Sequence, residues 1–144
     1  MSEKYVPVEL RRLVVARANN CCEYCRAQAP YSSDPFTIDH IIPFILGGLT
    51  IAGNLAFCCY GCNQCKGIRI FAADPVTGLS TRLFHPRQQI WEEHFAWNED
   101  FTMMIGLTAT GSDTIEVLQL NRSVLVNLRR ILYAVGEHQP TGLV

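Results

Sequence analysis

Asp39 and His40 stand side by side, and Asn54, Asn63 and Lys66 follow them inside residues 39–67. A carboxylate beside an imidazole, with two amides and an ammonium downstream, is a set able to hydrolyse a phosphodiester. That reaction needs a base to take a proton from water. It also needs a cation to neutralise charge on the scissile phosphate, and groups that hold the phosphate in line. A neutral imidazole is the natural base near pH 7, which points to His40. A Mg²⁺ or Mn²⁺ ion takes hard oxygen ligands and keeps several waters. Asp39 and Asn63 offer such oxygens. Asn54 closes a glycine-rich loop and can bond to its backbone. Lys66 shares a helical face with Asn63 and can point at phosphate; Arg69 is a further candidate contact. Neighbours in a strand point to opposite faces. Asp39 and His40 therefore meet one phosphate only if the strand twists or bulges between them.

The same stretch holds four of the seven cysteines. Zn²⁺ takes four ligands in a tetrahedron, and Cys-x-x-Cys turns supply them two at a time. Cys22/Cys25 and Cys59/Cys62 are two such pairs. Without a secretory leader, paired cysteines point to metal rather than to disulfides. Cys62/Cys65 has the same spacing, and Cys58 is a neighbour able to replace Cys59. The remaining cysteines, Cys21 among them, are assigned to packing.

These residues need elements to position them. Pro7 suits the start of a helix, and "VELRRLVVARAN" gives it an apolar face, with Arg11, Arg12 and Arg17 able to reach solvent. Asn19 and Asn20 end it. "CCEYCRAQ" is a tight knuckle, "FTIDHII" a strand stopped by Pro43, and "LAFCC" a second strand running into a second knuckle. A short helix is expected from near Cys62, and a turn at "ADPVTG". Further on, "HPRQQIWEEHFAW" predicts a helix that buries Ile90, Trp91 and Phe95. "FTMMIGLTATG" suits a strand and a turn, and "SDTIEVLQLN" a helix capped by Ser112 or Asp113. "RSVLVNLRRILYAVG" carries a helical apolar stripe with Gly136 as terminator.

The chain has 144 residues, 49% of them hydrophobic, enough for one compact unit with a modest core. Its apolar runs are too short for a membrane span. The first residues hold no apolar leader, so the default location is the cytoplasm. The net charge of −1 is low for a nucleic-acid-binding protein. The bases gather in the first 90 residues, whereas residues 91–116 hold Glu92, Glu93, Glu99, Asp100, Asp113 and Glu116 and no Lys or Arg. Arg26, Arg69 and Arg87 are candidate phosphate contacts.

Residues 22–67 resemble the HNH nucleases, a treble-clef or ββα-metal fold. The likeness rests on Cys22-x-x-Cys25, Asp39-His40-Ile-Ile-Pro43, Gly47-Gly48, Asn54-Leu55 and Cys59-x-x-Cys62-Asn63-x-x-Lys66-Gly67. It implies an α+β fold with a ββα core stapled by a four-cysteine zinc site. It also implies a metal-dependent DNA endonuclease, a phosphodiester hydrolase, with His40 as general base and Asn54 as its structural support. Asp39 and Asn63 would then hold Mg²⁺ or Mn²⁺, and Lys66 and Arg69 would bind phosphate. The expected organisation is a nuclease core over residues 1–84 and an α+β extension over residues 85–144. The part from His85 onward resembles the tail of small free-standing bacterial, especially cyanobacterial, HNH proteins. The alternative is a zinc-binding module that touches nucleic acid or protein without catalysis. A protein-binding module of that kind would expose the acidic run from Glu92 to Glu116.

Overall fold

Pro7 is extended (φ −61°, ψ 154°) and releases helix α1, Val8–Arg17. The computed structural model describes residues 5–74 and 76–139. Helix α1 buries Val14 fully and packs with Val6 and Ala18 on Leu55 and Phe57. Asn19 and Asn20 break it in the left-handed conformation (φ 53° and 58°), which Asn tolerates better than most residues. Arg17 stays exposed, as expected, but its guanidinium is also engaged. Its Nη2 donates to the carbonyls of Ala52 (2.7 Å) and Leu55 (2.6 Å), tying α1 to the loop before the second strand.

Strand β1, Thr37–His40, pairs antiparallel with β2, Leu55–Cys58, placing Asp39 opposite Ala56 and His40 opposite Leu55. Helix α2, Tyr60–Lys66, follows directly. It begins two residues before Cys62 because Cys59 caps it, the Cys59 sulfur accepting from the Cys62 N–H. β1, β2 and α2 form a small ββα core. It is flanked by α1 and by a mixed C-terminal extension, the α+β architecture that the sequence predicts.

Two short strands, β3 (Phe71–Ala73) and β4 (Ser80–Arg82), make the next hairpin. Its turn includes Pro75, which lies outside the described residues. Asp74 holds the far side, its Oδ1 accepting from Val76 N–H and Thr77 N–H. The long helix expected over residues 85–97 is only one turn, α3 (Trp91–His94). The chain then extends as β5 (Phe95–Trp97) and pairs with β6 (Met104–Gly106). Asn98 makes that turn, its Oδ1 accepting from Thr102 N–H and Met103 N–H. Helix α4 is Ala109–Leu118, and its cap is Thr108 rather than Ser112 or Asp113: Thr108 Oγ1 accepts from Gly111 N–H. Helix α5, Ser123–Ala134, follows the predicted stripe, with Gly136 at φ 77° beyond it.

The larger buried cluster takes Cys22, Cys25, Cys59 and Cys62 from the first half and Trp91, Phe95, Leu118, Leu120 and Leu125 from the second. Each large apolar side chain so buried is worth about 1.5–3 kcal/mol. Among the described residues no helix is long and apolar enough to cross a membrane.

His85 joins the two halves. Its Nδ1 accepts from the N–H groups of Arg87 (3.2 Å) and Gln88 (3.3 Å), which requires that nitrogen unprotonated. Burial first, then the Arg82 charge, hold its pKa below the ordinary 6.5. His138 is lowered too, mainly by burial. In the window just below pH 6.5 the unfolded chain therefore binds protons that the folded chain refuses, so stability falls as the pH falls. The midpoint of thermal unfolding should drop on acidification from about pH 6.5, and His85→Asn should flatten part of that slope. A midpoint that rises through this window in the parent contradicts the assignment.

Candidate metal centre and the Asp39 pocket

The Cys-x-x-Cys turn after α1 brings in Cys22 and Cys25, and the β2–α2 junction brings in Cys59 and Cys62. All four sulfurs lie within 4.8 Å of one another, and all four residues are buried. A tetrahedron with Zn–S bonds of about 2.3 Å has edges of about 3.8 Å. Cys25 Sγ and Cys59 Sγ are 3.7 Å apart. Backbone N–H groups point at the sulfurs: Cys25 N–H at Cys22, Ala27 N–H at Cys25, Cys62 N–H at Cys59. The donor set and its size fit Zn²⁺. The other cysteines lie outside that group, although the Cys58 sulfur is close enough to Cys22 to interact with it. Cys58 donates to its neighbour's carbonyl and Cys21 to the Asn19 carbonyl, while Cys65 is only partly buried. Burial pushes the Cys21 thiol up to about 11.

Asp39 points inward from β1 and is 6% exposed. Its Oδ2 accepts from the Tyr24 hydroxyl at 2.9 Å and lies 3.2 Å from the Lys66 ammonium. Lys66, only 2% exposed, is turned back from the last turn of α2 into the hairpin. Its Nζ also donates to the Ile41 carbonyl (3.0 Å). Burial raises the Asp39 pKa above the ordinary carboxylate value, while Lys66 and Tyr24 oppose the rise. Burial and the Asp39 charge raise Tyr24 well above the ordinary phenol.

His40 faces the other side of the strand. Its Nε2 is 2.8 Å from Thr50 Oγ1, and its ring meets Phe44 edge-on. Asn54 clips the loop: Oδ1 accepts from Ile42 N–H (2.9 Å), and Nδ2 donates to the carbonyls of Ile42 (3.0 Å) and Leu49 (2.9 Å). Gly48 lies so close that a Cβ there would run into the Ile42 carbonyl oxygen. Gly48→Ala should therefore destabilise the chain by about 1–3 kcal/mol, as overpacking does. Chemical denaturation would show it as a lower midpoint. An unchanged midpoint means the loop is not held by this approach.

Asn63, half-buried, borders an open cleft of about 390 Å³ with Asp39, His40 and Ile45. Arg69 is exposed and lies in a different cleft, beside Cys65, Asp113 and Glu116. Tyr24, Glu23 and Arg122 escape the sequence reading. Glu23 accepts from Phe57 N–H and pairs with Arg87. Arg26 pairs with Glu92 and lies over the Trp91 ring. Tyr24 and Glu23 are the filler of the Cys-Glu-Tyr-Cys turn, so their position beside two ligands is the available signal. Nothing local marks Arg122, which reaches the cysteines from the start of α5. Burial alone would lower its pKa, but the charge of Cys62 and the hydrogen bonds to it raise it instead.

Residues 22–69 match the model of the HNH endonuclease family, so an HNH-like domain covers a third of the chain. Neither curated proteins nor solved structures yield a match. The expectation of an HNH endonuclease is corrected by the site itself. Among the described residues, the group of His, Cys, Asp or Glu side chains close enough to share an ion is Cys22, Cys25, Cys59 and Cys62. It is not a site built on Asp39, His40 and Asn63. Asp39 already carries the Lys66 ammonium as its cation. The arrangement is that of a structural metal centre. It does not support a His40-based hydrolase or nuclease, nor a separate Mg²⁺ or Mn²⁺ cofactor.

Proposed function

We propose that this chain is a non-catalytic, zinc-stapled interaction module. Zn²⁺ held by Cys22, Cys25, Cys59 and Cys62 joins the knuckle after α1 to the β2–α2 junction. Residues 1–84 form the module, and residues 85–144 form an extension packed on it. The observation that carries the reading is the Lys66 ammonium on the buried Asp39 carboxylate, beside a four-cysteine cluster sized for zinc.

The surface favours a protein partner over nucleic acid. Of the twelve Lys and Arg residues, Arg17, Arg26, Lys66, Arg87, Arg122 and Arg129 are engaged in contacts within the fold. Glu92, Glu93, Glu99, Asp100 and Glu116 are exposed and would repel a phosphate backbone. A groove of about 580 Å³ between α1 and the loop after β1 is lined by Tyr5, Leu10, Phe44, Leu49, Thr50 and Ile51, with Pro7, Gly47 and Gly48, and bears no charged side chain. Its occupant on this reading is an apolar protein segment.

The test has two arms. Purified protein should leave supercoiled plasmid intact with Mg²⁺ or Mn²⁺. Nicking that disappears in His40→Ala would overturn the non-catalytic reading. Peptides selected from a random library should be apolar and should lose binding to Leu49→Asp. Saturable binding of a labelled DNA duplex at physiological salt, with no peptide enriched, would replace the protein partner with nucleic acid.

A further inference from the structure

Arg122 sits at the α4–α5 turn, where it precedes the first residue of α5. Its guanidinium is fixed at both ends. Nη1 donates to the carbonyls of Leu118 and Gln119, each at 3.2 Å. On the other side Nη2 reaches Cys59 Sγ (3.5 Å) and Nη1 reaches Cys62 Sγ (3.7 Å). Gly61, inside the second knuckle, makes room for it: a Cβ at Gly61 would run into Nη2 and come within 2.8 Å of Cζ. Glycine inside a helix is otherwise disfavoured against alanine, so the guanidinium gives Gly61 its reason.

A zinc ion with four thiolates carries a net negative charge in a buried place. Such a charge calls for a donor partner. The same donors decide how reactive the sulfurs are. A thiolate lone pair held by a charged N–H is less available to an electrophile, and the free thiolate is the nucleophile. Cys59 and Cys62 are the two ligands that receive the guanidinium.

We propose that Arg122 is a positioning residue of the metal centre: by donating to Cys59 and Cys62 it shields their zinc-bound sulfurs from electrophiles and so makes zinc release slow. The proposal rests on the zinc reading above. In the reaction that probes it, a ligand sulfur attacks the methylene of iodoacetamide, a C–S bond forms and iodide leaves. The thioether no longer holds the metal as the thiolate did.

The experiment uses the full chain loaded with zinc, with release by iodoacetamide followed by a chromophoric chelator and the alkylated cysteines located by mass spectrometry. Arg122→Met should release zinc about tenfold faster or more, the worth of a hydrogen bond to a charged group. Its first alkylation should fall on Cys59 and Cys62. Arg122→Lys should restore part of the protection. Gly61→Ala keeps the arginine but displaces it and should also speed release, so the test stands even if Arg122→Met fails to fold. Release from Arg122→Met at the parental rate, or from Gly61→Ala at the parental rate where Arg122→Met does not fold, with zinc bound one to one, overturns the shielding role. Parent protein without zinc overturns the reading on which it rests instead.

Discussion

Replacing Cys59 with serine is expected to empty the metal centre and unfold both halves of the chain. Cys59 lies 3.7 Å from Cys25 across the cluster, caps α2 through the Cys62 N–H, and receives Arg122. Structural zinc in small domains contributes about 10–16 kcal/mol of apparent binding free energy, and that energy is folding energy. The whole stability of a domain is about 5–15 kcal/mol. Loss of the ion therefore exceeds what the apolar core holds in reserve. Because the larger buried cluster contains both the cysteines and Leu118, Leu120 and Leu125, the loss should spread to α4 and α5. Metal analysis should find about one zinc per parent chain and none in the variant. The near-ultraviolet signal of Trp91 and Trp97 should vanish with it. Cys65→Ser is the control, since Cys65 lies outside the four-sulfur group and is only partly buried. It should keep its zinc and its melting midpoint. A Cys59→Ser protein that retains zinc and melts like the parent would show that the four sulfurs do not share an ion.

How much of this is legible in the sequence depends on the range of the interaction. The knuckles, the ββα core and the stripe of α5 are local patterns: fixed Cys spacing, β-branched strands stopped by Pro43, apolar residues three and four apart. These emerge from the residues alone. Phe95-Ala-Trp97 reads as the end of a helix because its aromatics continue a helical spacing. What makes it a strand is its partner β6, which no periodicity within the segment reports. Helical spacing puts Lys66 on the face of Asn63, and that face looks outward or inward according to how α2 packs on the hairpin. It packs so that Lys66 is buried on Asp39. Once Lys66 is there, the chemistry expected of Asp39 changes from metal ligand to ion-pair partner. The residues and their spacing are plain in the sequence, but the third dimension decides what they touch. Arg122 shows the same limit. Nothing local marks it, and it is drawn to the Cys59 and Cys62 sulfurs, acceptors that lie far off in the chain.

The second large effect concerns that ion pair. Asp39→Leu leaves the Lys66 ammonium buried with only the carbonyls of Ile41 and His40 as acceptors. Breaking a buried pair by removing one partner costs about 3–5 kcal/mol, so the variant should lose a large part of its stability. Lys66→Met leaves the opposite charge. The Asp39 pKa is already raised by burial, and without its cation it should rise further. A carboxylate whose folded pKa lies above its unfolded one destabilises the fold at high pH. The cost is relieved as the pH falls through the raised value, because the folded state then binds the proton more readily than the unfolded chain does. Lys66→Met should therefore be weak at neutral pH and recover on mild acidification, whereas Asp39→Leu should show no such recovery. The double variant, with both charges gone and the apolar volume kept, should return to within about 2 kcal/mol of the parent. A strong coupling energy in this cycle is the signature of a pair rather than of two separate sites. Mg²⁺ supplies the complementary check. A ligand that binds only the folded state raises its stability in proportion to the logarithm of its concentration. With Lys66 already on Asp39, millimolar Mg²⁺ should leave the parental melting midpoint where it is. A Mg²⁺-dependent rise in the parent that vanishes in Asp39→Leu would show that the ammonium yields its place to a divalent ion, and the non-catalytic reading would fall with it.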